Sequence, residues 1–410
     1  MNKALVEYIF KHKITGILFV LYVLLGMVIR WRCWLAKDSQ YDIGDYGEFG
    51  WISFHMKDSY DTGVREPLWC WILKIWFIVT NTQSFDASFY IAQALDFIWF
   101  PIILFLSMLF CEGYLGKWQS WIIGWILAMS NYQIFHELSG LREPLETIFI
   151  LILLFALIRK DNLPIWNLGK KWALVVISSA LMLTRVGYVQ VLFIVLPLFF
   201  WLNAWPLRHC FFILLISFLF VIPYYQNNFI NYGNPQYFSN KNLGIFWARD
   251  FQHRKGFPYN KSQLEKTEHH FPPLTLSQYL SRRHKWHQIP EVVLSGIYKI
   301  FFYYPNVSGL LIWRFPLEKY VKKMSPFHAA VMFFYLMGYY SLLRENGKRR
   351  FVIFMFIVMA PYYLFGHIQV VLRYALCVAP LFLMILSHGM VQTLAKAGTL
   401  RKVFKFEVST

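Results

Sequence analysis

The chain has 410 residues, of which 57% are hydrophobic, 20% aromatic and only 15% charged, whereas an ordinary soluble domain carries about 25% charged residues. That balance excludes a soluble enzyme and places the chain among all-α integral membrane proteins. The net charge of +18, from 40 Lys and Arg against 22 Asp and Glu, does not imply nucleic acid, because the basic residues are distributed among loops between apolar runs; membrane lipids with anionic headgroups are the partner they fit.

The first apolar run, Ile14 to Trp31, is long enough to span a bilayer and ends in Arg30-Trp31-Arg32 with no small-residue cleavage site, so it reads as an uncleaved first span. Lys3, Lys11 and Lys13 set the start of the chain in the cytoplasm, which makes residues 35–66 external. Pro67 to Thr80 is apolar but short for a span and is interrupted by Lys74, so it reads as a re-entrant or interfacial helix. Crossings follow at Phe85–Cys111, Trp118–Phe135 and Leu145–Ile158, and Arg159-Lys160 and Lys170-Lys171 bracket a cytoplasmic connection. Asp96 falls inside the first of these runs, where a carboxylate needs a polar partner.

Trp172–Leu183, Val186–Trp201 and Phe211–Tyr225 cross next, leaving Arg185 at the outer mouth and Arg208-His209 inside. Residues 226–325 read as an external segment lying partly on the bilayer surface, with an apolar stretch from Val292 to Trp313 broken by Lys299 and Pro305. Its histidines, His253, His269, His270, His284 and His287, lack a metalloprotease spacing, and Asn306-Val-Ser308 matches a glycosylation acceptor. Phe327–Leu343, Phe351–Phe365 and Leu372–Ser387 complete a multi-span helical bundle of about ten crossings with both termini cytoplasmic. The organisation is therefore a transmembrane module over 1–225 with external loops at 35–66 and 136–144, a variable external segment at 226–325, and C-terminal helices with a cytoplasmic tail at 326–410. The five cysteines show no CxxC spacing, and only Cys33 and Cys70 both fall where they could face outward.

Four polar clusters sit at the mouths of these spans, all on the side opposite the basic loops: Asp42-Ile-Gly-Asp45-Tyr46, Arg65-Glu66-Pro67-Leu68, Leu141-Arg142-Glu143-Pro144-Leu145 and Arg373-Tyr374. Here the chain resembles the GT-C superfamily of membrane glycosyltransferases, particularly the branch of the protein O-mannosyltransferases and the lipid A aminoarabinose transferase. In that branch an acidic residue is followed four positions on by Tyr, then by a basic residue before Pro-Leu and an aromatic. Asp42, Tyr46, Arg65, Pro67 and Leu68 fall on that pattern. Glu143-Pro144-Leu145 is similar to the acidic residue of the family's second external loop, Arg185 to its Arg after the fifth helix, and Arg373-Tyr374 with Pro380 to its Arg-Tyr before the last helix. The resemblance covers most of 1–205 and 326–390 and leaves 226–325 unmatched. The paired acids of many members are Asp42-Ile43 here, so Asp45 is the alternative carboxylate.

The resemblance implies inverting transfer of a sugar from a polyprenyl-phosphate-linked donor to a glycan, lipid or protein acceptor, at the extracytoplasmic face of the plasma (inner) membrane. Such a reaction needs a base at the acceptor hydroxyl, which Asp42 would supply, and cationic stabilisation of the departing phosphate, for which Arg65, Arg185 and Arg373 are candidates. Glu143 would orient the acceptor or tune Asp42. Tyr46, Glu66, Arg142 and Tyr374 complete the substrate-binding set. No cofactor is required by these motifs; a divalent metal ion, if one is used, would fall to Asp42 and Glu143. An O-antigen polymerase or ligase is the alternative enzyme, disfavoured by the acidic first loop, and a transporter would place its polar residues at the bilayer midplane, which this chain does not.

Overall fold

The computed structural model describes residues 13–35, 43–57, 60, 62, 65–130, 142–158, 169–185, 187–237, 240–241, 243–244, 273–283, 289–298, 301, 326–360, 363 and 375–396. Among these the structure is helical. In chain order the helices are α1 (Lys13–Leu35), α2 (Ile43–His55), α3 (Pro67–Val79), α4 (Phe85–Ala94), α5 (Asp96–Tyr114), α6 (Lys117–Met129), α7 (Glu143–Ile158) and α8 (Lys170–Thr184). They continue with α9 (Gly187–Leu202), α10 (Leu207–Leu219), α11 (Ile222–Tyr232), α12 (Leu276–Arg283), α13 (Ile289–Tyr298), α14 (Pro326–Arg344), α15 (Arg349–Val358) and, after a 3-10 turn at Ala375–Val378, α16 (Ala379–Lys396).

The chain is a membrane protein by the character of these helices. Ile14–Leu35 and Tyr90–Tyr114 are long and apolar enough to cross a bilayer, and α10 with α11, bent by 41°, would make a third span. On α1, Ile14, Ile17, Leu24 and Trp31 are more than half exposed, an arrangement that hydrocarbon accommodates and water does not. The expected span over Phe85–Cys111 begins at a helix that Ser84 caps by accepting from the Ala87 amide and passes through a turn at Leu95 into α5, so that Tyr90–Tyr114 runs on as one apolar span, although α4 and α5 are two helices. The expected single run over Phe211–Tyr225 is likewise two helices, with Pro223 in the first turn of α11, where its missing N–H costs no helical bond. Cys33 and Cys70 are both free thiols: Cys33 is exposed on α1, and Cys70 is packed inside the α2–α3 contact. Arg30, near the end of α1, is fully buried, with its guanidinium 3.4 Å from the centre of the Phe100 ring.

α7 is the central helix. Every one of its residues except Phe149 and Ile152 is buried, as expected of a helix apolar on all sides, and it packs against α5, α8, α15 and the 3-10 turn. α14 and α16 pack closely because both carry a glycine at their crossing: a Cβ on Gly389 would meet the Phe334 carbonyl oxygen, and one on Gly338 the Ile385 carbonyl oxygen. The bundle has two polar poles. Asn203, just past the end of α9, donates to the Leu157 carbonyl at the end of α7 at 2.8 Å, and Arg350 holds Asn203 at 2.5 Å and the Leu202 carbonyl at 2.9 Å. This pole also carries Lys348 and Arg349 at the start of α15, and it places Arg344 at the end of α14 and the Arg350 guanidinium at the end of α9, where the backbone dipole favours a cation. The starts of α7 and α9 lie about 24 Å away, the length of a 16-residue helix, and there the other pole begins.

Candidate functional site

Three helix ends converge at that second pole. Glu66 precedes α3 with an extended backbone, and Pro67 then opens the helix with the φ its ring requires. Arg142 precedes α7, whose first turn holds Glu143 and Glu146, acidic residues at the end of the helix dipole that stabilises them. Arg185 follows α8 in extended backbone and is the last described residue before α9.

Their side chains form one enclosed ion network. Arg142 Nη1 pairs with Glu66 Oε2 and also donates to the Thr184 carbonyl at 2.9 Å, while Arg142 Nε lies 3.2 Å from Glu146 Oε1. Arg185 Nη2 lies 3.0 Å from the same Glu146 oxygen and 3.5 Å from Glu143 Oε1. The Tyr188 hydroxyl donates to Glu146 Oε2 at 3.3 Å, and the Cys377 thiol donates to that oxygen at 2.8 Å. Arg142, Glu143 and Arg185 are each less than 8% exposed, and Glu146 is fully buried. Phe49, on α2, floors the network: the guanidinium carbons of Arg65 and Arg142 lie 4.8 and 5.5 Å from its ring centre. The carboxylates of Glu66, Glu143 and Glu146 outnumber the guanidiniums of Arg142 and Arg185 by one, and Arg65 beside the same ring restores neutrality.

Burial alone would raise the Glu66 carboxyl. The guanidiniums of Arg142 and Arg185 outweigh it and hold the group below the ordinary glutamate value, so Glu66 is ionised at neutral pH.

The structure thus brings Glu66, Arg142, Glu143 and Arg185 into contact and places Arg65 at their edge. Asp42, Arg373 and Tyr374 lie outside the described residues, as do the side chains of Asp45 and Tyr46, which stand in α2. The sequence reading missed Glu146 and Tyr188. A signal for the first was present: Glu146 follows Arg142 by four positions, so the two share a helix face. Arg142 and Arg185, expected to meet substrate, have their guanidiniums turned toward carboxylates of the chain itself.

Among the described residues no group of three His, Cys, Asp or Glu side chains is arranged to hold a metal; Asp42, one of the two expected ligands, lies outside them, and Oε1 of Glu143 and of Glu146 both face Arg185 Nη2. The arrangement suits a different task, presenting a stiff array of fixed charges at one end of the bundle.

This helical bundle is a fold already seen in a solved structure. A solved structure that shares it is the archaeal oligosaccharyltransferase AglB from Archaeoglobus fulgidus, in complex with an inhibitory peptide and a dolichol-phosphate, with a TM-score of 0.53 and 11% sequence identity over 98% of this chain. The chain spans about half the length of that protein, 53%. No protein-family model and no curated protein matches the sequence.

Proposed function

We propose that this chain is a membrane glycosyltransferase that takes a sugar from a polyprenyl-phosphate-linked donor and transfers it, with inversion, to an acceptor on the extracytoplasmic face. The observation that carries the reading is the meeting of Glu66, Arg142, Glu143 and Arg185, residues of three separate sequence motifs, in one network. That network lies at the pole of α7 and α9 opposite the basic one. The fold it shares with an oligosaccharyltransferase solved with dolichol-phosphate supports the same reading.

In this mechanism Asp42, or Asp45 in its place, removes the proton from the acceptor hydroxyl as that oxygen attacks the anomeric carbon from the face opposite the phosphate. The bond from that carbon to the phosphate oxygen breaks as the new one forms, and no enzyme nucleophile intervenes. Arg65 and Arg373 receive the charge that develops on the leaving phosphate, in the paired geometry a guanidinium offers. Tyr46 and Tyr374 line the donor. The compensated network beneath, Glu66–Arg142 and Glu143–Arg185, stays fixed while charge moves above it, which is how pre-set dipoles lower a barrier. Glu143 orients the acceptor from this base. The long segment 226–325 selects the acceptor, and the sugar is set by contacts these motifs do not specify.

The test is transfer by the purified full chain in lipid nanodiscs, using polyprenyl phosphates that carry a panel of radiolabelled sugars and a membrane extract as acceptor. We expect transfer from at least one donor and a loss of at least ~10²-fold with Asp42→Asn. Undiminished turnover in Asp42→Asn, Asp45→Asn and Glu143→Gln alike would remove the catalytic assignment, and no transfer from any donor would remove the activity itself.

A further inference from the structure

Glu146 stands one turn inside α7 and is fully buried. A carboxylate at such a depth persists only where its surroundings satisfy it, and there it marks a working part of the protein. Its two oxygens divide their partners. Oε1 faces both guanidiniums, Arg142 Nε at 3.2 Å and Arg185 Nη2 at 3.0 Å, whereas Oε2 accepts from the Tyr188 hydroxyl at 3.3 Å and the Cys377 thiol at 2.8 Å. The first pair links the motifs at Arg142 and Arg185, and Arg142 extends the link to Glu66. Of the second pair, Cys377 brings in the 3-10 turn Ala375–Val378 from 231 positions away in sequence. That turn immediately follows the remaining motif: Arg373 is four residues before Cys377, and four residues of extended chain reach at most about 14 Å.

We propose that Glu146 is the positioning residue of this site. Oε1 sets the two guanidiniums, and Oε2 docks the Cys377 turn, which follows the Arg373-Tyr374 motif directly in sequence. The hub is built from four helix ends and one turn, so a change at Glu146 loosens motifs far apart in sequence together. What the hub serves rests on the proposed glycosyl transfer; that Glu146 docks the turn does not.

Two arms keep the claims apart. The full chain in mixed detergent and lipid micelles is made as wild type, Glu146→Gln, Glu146→Asp, Cys377→Ala and Cys377→Ser, and each variant's unfolding transition is recorded. The first arm measures alkylation of Cys377 by N-ethylmaleimide, read by peptide mass spectrometry. We expect Glu146→Gln to speed it at least ~10-fold and Glu146→Asp to speed it less, because the turn is released while the fold stands. The second arm measures binding of dolichyl phosphate, with at least ~10-fold weakening in Glu146→Gln and in Cys377→Ala, and recovery in Cys377→Ser, which keeps a donor for Oε2. A folded Glu146→Gln protein in which Cys377 stays as protected as in the wild type would overturn the proposal. If neither Glu146 variant folds, the cysteine pair decides: equal binding by Cys377→Ala and wild type overturns it, and loss in Ala with recovery in Ser upholds it. Wild-type protein that does not bind dolichyl phosphate would count against the proposed function alone, and the alkylation arm would then decide the role of Glu146.

Discussion

Replacing Arg142 with Met removes the one guanidinium that touches Glu66, Glu146 and the Thr184 carbonyl at once. Methionine fills much of the same volume, so the change is chiefly one of charge. Removing one partner of a buried ion pair costs about 3–5 kcal/mol, because the other charge stays behind in a poorly polarisable site. The Thr184 carbonyl, left without this donor, adds about 1–3 kcal/mol. Arg185 offsets part of the first of these costs, since it still lies 3.0 Å from Glu146. A net destabilisation of about 4 kcal/mol follows. The assay is equilibrium unfolding in mixed micelles, run as a cycle with Glu66→Gln. The double variant should recover about 2 kcal/mol of the loss, because the carboxylate stranded by the first change is gone. A cost below about 1 kcal/mol for Arg142→Met, or strict additivity in the cycle, would refute the claim that these charges depend on one another.

Two further outcomes follow from the same geometry. Glu66 is held below the ordinary glutamate value of 4.5, so the stability it lends is complete above that pH and is lost as the pH falls through the lower value of the folded state. The difference in unfolding free energy between wild type and Glu66→Gln should therefore be flat from neutral pH down to about 4.5 and shrink below it; a difference that already shrinks between pH 7 and 5 would contradict the sign. At the crossing of α14 and α16, Gly389→Ala sets a methyl group against the Phe334 carbonyl oxygen. Thermal unfolding should register a cost of about 1–3 kcal/mol, and a neutral result would mean that the helices can part without penalty.

Much of this architecture can be read from the residues, and the exceptions have physical reasons. Pro67 and Pro144 announce the starts of α3 and α7 because proline fits a first turn and few other helical places. Hydropathy found the apolar runs but not the bend at Phe220–Val221, since a bend leaves the composition on either side unchanged. Only a few of the helices reach the length of a crossing among the described residues, so the expected ten spans rest on charge and hydropathy. At the site, Arg142, Glu143 and Arg185 stood out because charge is conspicuous at the edge of an apolar run. Glu146 did not, because after Pro144 it passes for an ordinary first-turn acid, and its partners Tyr188 and Cys377 are distant in sequence. Arg30 illustrates the same limit: nothing in the sequence beside it announces that its guanidinium packs on the Phe100 ring, 70 positions away.

The most direct test of the account is to ask where a polyprenyl phosphate sits. A benzophenone-bearing polyprenyl phosphate, photolysed with the full chain in nanodiscs and mapped by peptide mass spectrometry, should label the segments around Asp42, Arg65, Arg142 and Arg373, and excess dolichyl phosphate should suppress that labelling. Labelling concentrated at the opposite pole, around Arg344 to Arg350, or spread along α1 without competition, would contradict it.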